Sequence, residues 1–157
     1  MPSYWLMKSE PTAYSFDDLK GEEGMTAEWD GVRNYAARNN MQAMKVGDGI
    51  LFYHSMSKPN AIVGTARVVA EAYPDDTAWD PGSEHPDPKS TPDSPVWYMV
   101  DIKAEADMTE PVSLQAIKAT PGLSEMALVK ISRLSVSPVA ADEWRTILKM
   151  GKPAKID

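Results

Sequence analysis

Apolar residues of strand character fall in five short runs along the chain: Tyr4 to Met7, Ile50 to Tyr53, Ile62 to Val69, Val96 to Ala104 and Leu128 to Val136. β-Branched and aromatic residues are frequent in them, and turn-forming residues separate them, so each run predicts a strand. Segments of helical spacing lie between. Ser15 followed by Asp18 has the form of a capping box, in which the serine oxygen accepts an orphan amide and the carboxylate reaches back, with Phe16 and Leu19 as its apolar members. From Asn34 to Met44 the side chains of Ala37, Met41 and Met44 share one helix face, and Gly47 stops the helix. Ser113 caps a helix carrying Leu114, Ile117 and Lys118 that Pro121 and Gly122 end. Trp144, Ile147 and Leu148 mark a last helix, ended by Gly151 and Pro153. Strands without regularly alternating helices predict an α+β chain built on a mixed sheet or small barrel.

At 157 residues and 43% hydrophobic composition, the expectation is one domain over residues 1–157 with a real apolar core. Cysteine is absent, which excludes disulfides and thiolate metal sites and favours a cytoplasmic home. Neither a secretory leader nor a run of about 18 apolar residues is found, so no membrane partner is expected. Charge is uneven. Residues 1–70 carry 7 basic and 8 acidic side chains, residues 71–110 carry 2 and 11, and residues 111–157 carry 7 and 4. A protein gripping a duplex through many phosphates presents a basic stripe, so this distribution argues against sequence-blind binding to long nucleic acid. A pocket for one nucleotide remains compatible with it.

Catalytic machinery is sparse. Only His54 and His85 offer imidazole bases, no Gly-x-Ser-x-Gly elbow or phosphate-binding glycine loop occurs, and no motif implies a cofactor. The segment from Pro74 to Pro95 reads as a long loop dense in Pro, Asp and Ser. Its residues 75–87 hold Asp75, Asp76, Asp80, Glu84 and Asp87, which leaves a metal-dependent hydrolase or nuclease, with His54 as base, as a rival reading to a solvated acidic loop. A protein-interaction module, marked by an exposed apolar patch on the last helix, is a third reading. Five Trp and six Tyr against two Phe favour rings with a polar handle, as pocket walls use. Trp5, Trp97 and Trp144 sit in periodic apolar settings and are expected in the core, whereas Trp29, beside the Asp30-Gly31 turn, and Trp79, in the acidic loop, are expected to face a ligand. Arg33 and Asn34 stand at a helix N-terminus, where unpaired amides favour an anion or an acceptor-rich base edge, and where Asn34 can equally serve as a cap.

Three blocks carry a family resemblance: Tyr-Trp-Leu-Met-Lys-Ser-Glu-Pro at 4–11, Trp-Asp-Gly-Val-Arg-Asn-Tyr-Ala-Ala-Arg-Asn-Asn at 29–40 and Val-Gly-Asp-Gly-Ile-Leu-Phe-Tyr-His-Ser at 46–55. With Tyr-Pro-Asp-Asp at 73–76, Asp-Pro-Lys-Ser at 87–90 and Arg-Leu-Ser-Val-Ser-Pro-Val at 133–139, they make the chain resemble the EVE domain family over nearly its whole length. That resemblance implies a PUA-like mixed β-barrel with flanking short helices, related to YTH and ASCH domains. It also implies a cleft for a modified base in DNA or RNA, single-stranded or flipped out. A monomer is expected, and the missing catalytic constellation leads to the expectation of binding without enzymatic turnover. Carried over by position, the resemblance implies that Lys8 and Ser9 end the first strand beside the base and that Trp29 is the cage indole. Asp30, Arg33, Asn34 and Tyr35 would border the cleft, Tyr53, His54 and Ser55 would end the next strand, and Arg133 and Ser135 would belong to the late motif. Trp79 departs from the family pattern, which favours Phe there, and His85 stands where an aromatic ring is expected.

Overall fold

The computed structural model describes residues 2–156. Seven strands form one mixed sheet: β1 (Tyr4–Ser9), β2 (Thr26–Glu28), β3 (Gly49–His54), β4 (Ala61–Pro74), β5 (Tyr98–Ser113), β6 (Val136–Val139) and β7 (Pro153–Lys155). Their order is β2-β5-β4-β3-β1-β6, with β7 also paired to β5. β1 and β3 run parallel, and every other pairing is antiparallel. The helices are short: α1 (Phe16–Lys20), α2 (Tyr35–Ala43), α3 (Leu114–Lys118), α4 (Ala127–Lys130) and α5 (Ala141–Gly151).

Alternation along β1 and β3 explains the layering. Trp5, Met7, Ile50 and Phe52 point to one side of the sheet and Leu6, Leu51 and Tyr53 to the other, so each strand feeds two separate apolar clusters. A strand buried on both faces reads as a continuous apolar run, which is what the sequence shows at these two strands. The first cluster is closed by α1 and α2 through Phe16, Leu19, Ala37 and Met41, and the second by Ile117, Leu123, Leu128 and Ile147. Helix α2 touches β6, β5 and β4, joining strands that lie far apart in the sheet order. The face of α5 that would have marked a protein-docking helix turns Ile147 fully inward, with Trp144 and Leu148 half-buried against the second cluster.

Local signals act as expected at the helix ends. Ser15 accepts from the Asp18 amide and the Asp18 carboxylate accepts from the Ser15 amide, completing the capping box of α1. Asn34 caps α2 by accepting from the Ala37 amide, and Ser113 caps α3 through Ala116.

The structure corrects two of the expected strands. Residues 128–136 are not one strand: Leu128 lies in α4, a turn follows, and only Val136 enters β6. The apolar spacing there is that of a one-turn helix, whose four residues are too few for a helical period to emerge. The run expected from Val96 begins at Tyr98 and continues to Ser113 because β5 pairs successively with β2, β4 and β7. Strands β2 and β7 were absent from the expectation. Each has three residues and takes its form from pairing with β5 instead of from its own pattern.

Gly64 on β4 leaves room for the Phe16 ring, which occupies the space that any side chain there would need. Gly64→Ala is expected to lower stability by about 1–3 kcal/mol through overpacking of the first cluster. A urea midpoint equal to that of the parent chain would show that Phe16 yields without cost.

Candidate functional site

The parallel pair β1–β3 ends with Lys8 opposite Tyr53 and Ser9 opposite His54. Beyond these carboxyl ends opens a cleft of about 1050 Å³. Of the residues singled out in the sequence, Lys8, Ser9, Trp29, Asp30, Arg33, Tyr53, Ser55, Arg133 and Ser135 line it. Asn34, Tyr35, His54 and Trp79 do not.

Trp29 is no exposed turn residue. Its amide donates to the Val100 carbonyl at 2.7 Å, so the backbone of β2 continues one residue further along β5 and carries the indole inward. The ring meets Phe52 edge-on at 5.5 Å and Tyr14 at 6.2 Å between centroids, and 9% of the residue stays exposed. It is therefore a member of the first cluster as well as a wall of the cleft. Tyr14, which the sequence did not mark, completes this wall. Its hydroxyl is sealed and has no partner among the described residues. Burial, followed by the nearby charges of Glu22, Asp18 and Asp30, pushes that hydroxyl up to about 12, so it stays a donor throughout the neutral range.

The strand ends and the 132–135 segment give the cleft cationic and hydroxylic lining. Lys8 donates through Nζ to the Ser132 carbonyl at 2.6 Å and lies 5.9 Å from the centre of the Tyr53 ring. Burial moves the Lys8 amine below its usual value. The Lys8 amide donates to the Ser135 carbonyl, and the Ser55 amide to the Ser9 carbonyl, which fixes the strand ends to the 132–135 segment. The Ser9 hydroxyl donates to the Tyr14 carbonyl, which leaves its oxygen lone pairs free to accept. Arg133 is exposed at the rim. Leu114, Leu128 and the strongly exposed Met56 add apolar surface.

Arg33 lines the cleft but has nothing left to offer an anion. Its Nη1 donates to the Asp75 carboxylate at 3.0 Å and to the Val32 carbonyl, its Nη2 to the His85 carbonyl and Thr77 Oγ1, and its Nε to the His85 carbonyl. All five guanidinium hydrogens are thereby used. The Asp75 side chain is 0% exposed, and it also accepts from the Gly31 and Thr77 amides and the Thr77 hydroxyl. Burial raises the Asp75 carboxyl, but these hydrogen bonds and the Arg33 charge outweigh it and hold the group below the usual carboxylate range. The long acidic loop is thus tied to the turn before α2. The His85 ring lies over Gly31, whose φ of +77° and missing side chain admit it, and its Nε2 stands 3.6 Å from Asp30.

Other carboxylates of the loop are spent locally: Asp80 accepts from the Gly82 amide, and Asp87 from the Lys89 amide and the Trp97 indole. Among the described residues no group of three or more His, Asp or Glu stands together as a metal would require. His54 accepts from the Phe16 amide at 3.1 Å through Nε2, which occupies the lone pair a general base would use. Asn34 spends its side-chain oxygen on the cap. Tyr35 stacks on Trp97 at 4.9 Å with Arg38 above it, away from the cleft. Trp5 and Trp97 are in the core as expected, while Trp144 is half-buried and stacked on Tyr4 at 4.4 Å.

Two outcomes follow from this geometry. Asp75→Asn leaves the Arg33 charge without its partner and is expected to cost about 3–5 kcal/mol in denaturant unfolding; a loss within about 0.5 kcal/mol would show that water compensates the cation. Burial lowers the His54 pKa, the Asp17 charge only partly offsetting it, so the folded chain resists a proton that the unfolded chain takes up near about pH 6.5. Stability should therefore fall as pH drops below that value, until the folded ring itself protonates. His54→Gln keeps an acceptor without titrating, so its melting temperature should fall less between about pH 7 and pH 5 than that of the parent; parallel curves would contradict the assignment.

The family model for the EVE domain matches residues 3–150. Mouse thymocyte nuclear protein 1 is 43% identical over 167 aligned positions, spanning 96% of this chain and 74% of the relative. A solved protein from Leishmania major superposes with a TM-score of 0.92 at 49% identity, covering 97% of this chain and 96% of its own. Human THYN1, solved in complex with 5-methylcytosine-containing DNA, superposes with a TM-score of 0.91 at 38% identity, over 96% of this chain and 98% of its own. An ASCH protein from Zymomonas mobilis shares the fold at a TM-score of 0.55 and 10% identity, covering 99% of both chains. With matched blocks running from the first strand to the last helix, the chain belongs to the EVE domain family.

Proposed function

We propose that the cleft receives one unstacked nucleobase of a nucleic acid and distinguishes a modified base, such as 5-methylcytosine, from its parent. The observation that carries this reading is the Trp29 wall: an indole fixed by Phe52 and Tyr14 in the lining of a cleft large enough for a nucleotide. Stacking on a pre-fixed ring is worth about 1–3 kcal/mol per base and costs little ordering entropy. The likeness to human THYN1, solved with 5-methylcytosine-containing DNA, supports a modified base as the ligand.

The lining groups divide the labour. Glu22, Glu28 and Asp30 line the cleft as acceptors suited to an exocyclic amino group, and the Ser9 oxygen adds a neutral acceptor. Lys8 and Arg133 meet the adjoining phosphate. Leu114 and Leu128 give a methyl group an apolar contact worth about 0.8 kcal/mol, roughly a fourfold preference. Larger discrimination has to come from hydrogen bonds to the base edge. A single strand or a flipped-out base satisfies the geometry, since a stacked base cannot reach Trp29. The chain acts here as a monomeric reader. Binding without turnover agrees with the occupied His54 lone pair and with Asp75, Asp80 and Asp87 of the loop already accepting from donors of their own.

Calorimetric titration with a short single strand carrying one 5-methylcytosine tests this. Trp29→Phe keeps a buried ring yet shrinks the stacking surface, and is expected to weaken binding several-fold. Arg133→Ala should leave the melting temperature unchanged, weaken methylated and unmethylated strands alike, and reduce the salt slope by about 1. Affinities unchanged in both variants would remove the cleft from nucleic-acid binding.

A further inference from the structure

On strands β4, β5 and β7 a second hollow of about 700 Å³ shares no lining residue with the cleft. Arg67 of β4 stands directly opposite Lys103 of β5 in the antiparallel register, and Lys155 arrives from β7. Like charges placed opposite each other cost stability in a sheet. Among the described residues Glu105 is the one carboxylate lining the hollow, 3.4 Å from Arg67, so three described cations face one described anion in a chain whose net charge is -7. The remaining lining is of another kind. Trp144 and Leu148 of α5, packed on the second cluster, add apolar surface beside the cations, and Ile156 and Met25, packed on the first, also line the hollow. The Trp144 indole is stacked nearly parallel on Tyr4, at an interplanar angle of 17°, so its orientation is set before any ligand arrives. Met25 sits at this hollow with φ +54°, a left-handed backbone that a non-glycine residue seldom adopts and that often accompanies function.

Cations alone would suit any small anion, and apolar surface alone any hydrophobe. Together they specify a ligand with a phosphoryl group at one end and a flat, weakly polar body at the other. We propose that this hollow is a second binding site, for a nucleoside phosphate unit, in which Arg67, Lys103 and Lys155 hold the phosphate and Trp144 and Leu148 support the base. The unit is either a free mononucleotide or one nucleotide of a strand; the recognising chemistry is shared. The site stands independently of the cleft, because none of its residues takes part there.

The test uses the intact chain, labelled for amide and indole NMR, titrated separately with AMP, inorganic phosphate and a twelve-nucleotide single strand without modified bases. Expected are saturable shifts at Lys103, Lys155 and the Trp144 indole, with AMP binding at least fivefold more tightly than phosphate. The Lys103→Gln/Lys155→Gln double variant, altered at one half-buried and one exposed lysine, should lose at least tenfold of that affinity while Arg133→Ala has no effect on it. Shifts with AMP identify a free-nucleotide site, and shifts confined to the oligonucleotide identify a strand site; either supports the proposal. The proposal is overturned if these residues stay unshifted with AMP and strand alike, if phosphate binds as tightly as AMP, or if the double variant binds like the parent. Failure here leaves the cleft reading untouched, since that reading is scored by Trp29→Phe and Arg133→Ala.

Discussion

Burial of the β1–β3 pair on both faces is the constraint from which the remaining architecture follows. Trp5, Met7, Ile50 and Phe52 commit one side to the cluster under α1 and α2, and Leu6, Leu51 and Tyr53 commit the other to the cluster under α3, α4 and α5. A one-residue slip in either strand would exchange the two sets, so register is strongly fixed. Both strands point their carboxyl ends the same way because they are parallel. Lys8, Ser9, Tyr53 and Ser55 therefore reach the cleft from a base that cannot shift, as a recognition site requires.

A second fixed element is the Arg33–Asp75 pair. With Asp75 fully buried and every guanidinium hydrogen committed, the pair pins the long acidic loop to the segment bearing Trp29 and Asp30. Its cost in desolvation is met by the surrounding amides and hydroxyl as well as by the opposite charge. The loop in turn places His85 and Glu84 at the cleft rim. An acidic loop and a cation-bearing strand end thus line one opening.

Much of this was legible in the residues, and the failures have physical causes. Continuous apolar runs revealed β1 and β3, and side-chain caps at Ser15, Asn34 and Ser113 revealed three helix starts, because those signals are local. Strands β2 and β7 were silent, since pairing with β5 creates them. Family resemblance pointed to Trp29, Lys8 and Ser9, yet no local pattern showed that Trp29 would also be a core ring, which depends on β2 extending to Val100. Asp75 looked like one of several solvated acids; only its distance from Arg33 in space, across 42 positions of chain, separates it from Asp76 and Asp80. Tyr14 carried no signal beyond its ring.

The placement of β1 between β3 and β6 governs how the chain can be made. Its first partner lies at residues 49–54 and its second at residues 136–139, so β1 leaves the ribosome well over a hundred residues before the strand that completes its edges. Contacts of such wide sequence separation form slowly, and the apolar residues of β1 stay uncovered while synthesis proceeds. Emergence of β6 and α5 is then the step that seals the nascent chain, and a product truncated before it would keep an open, adhesive strand edge.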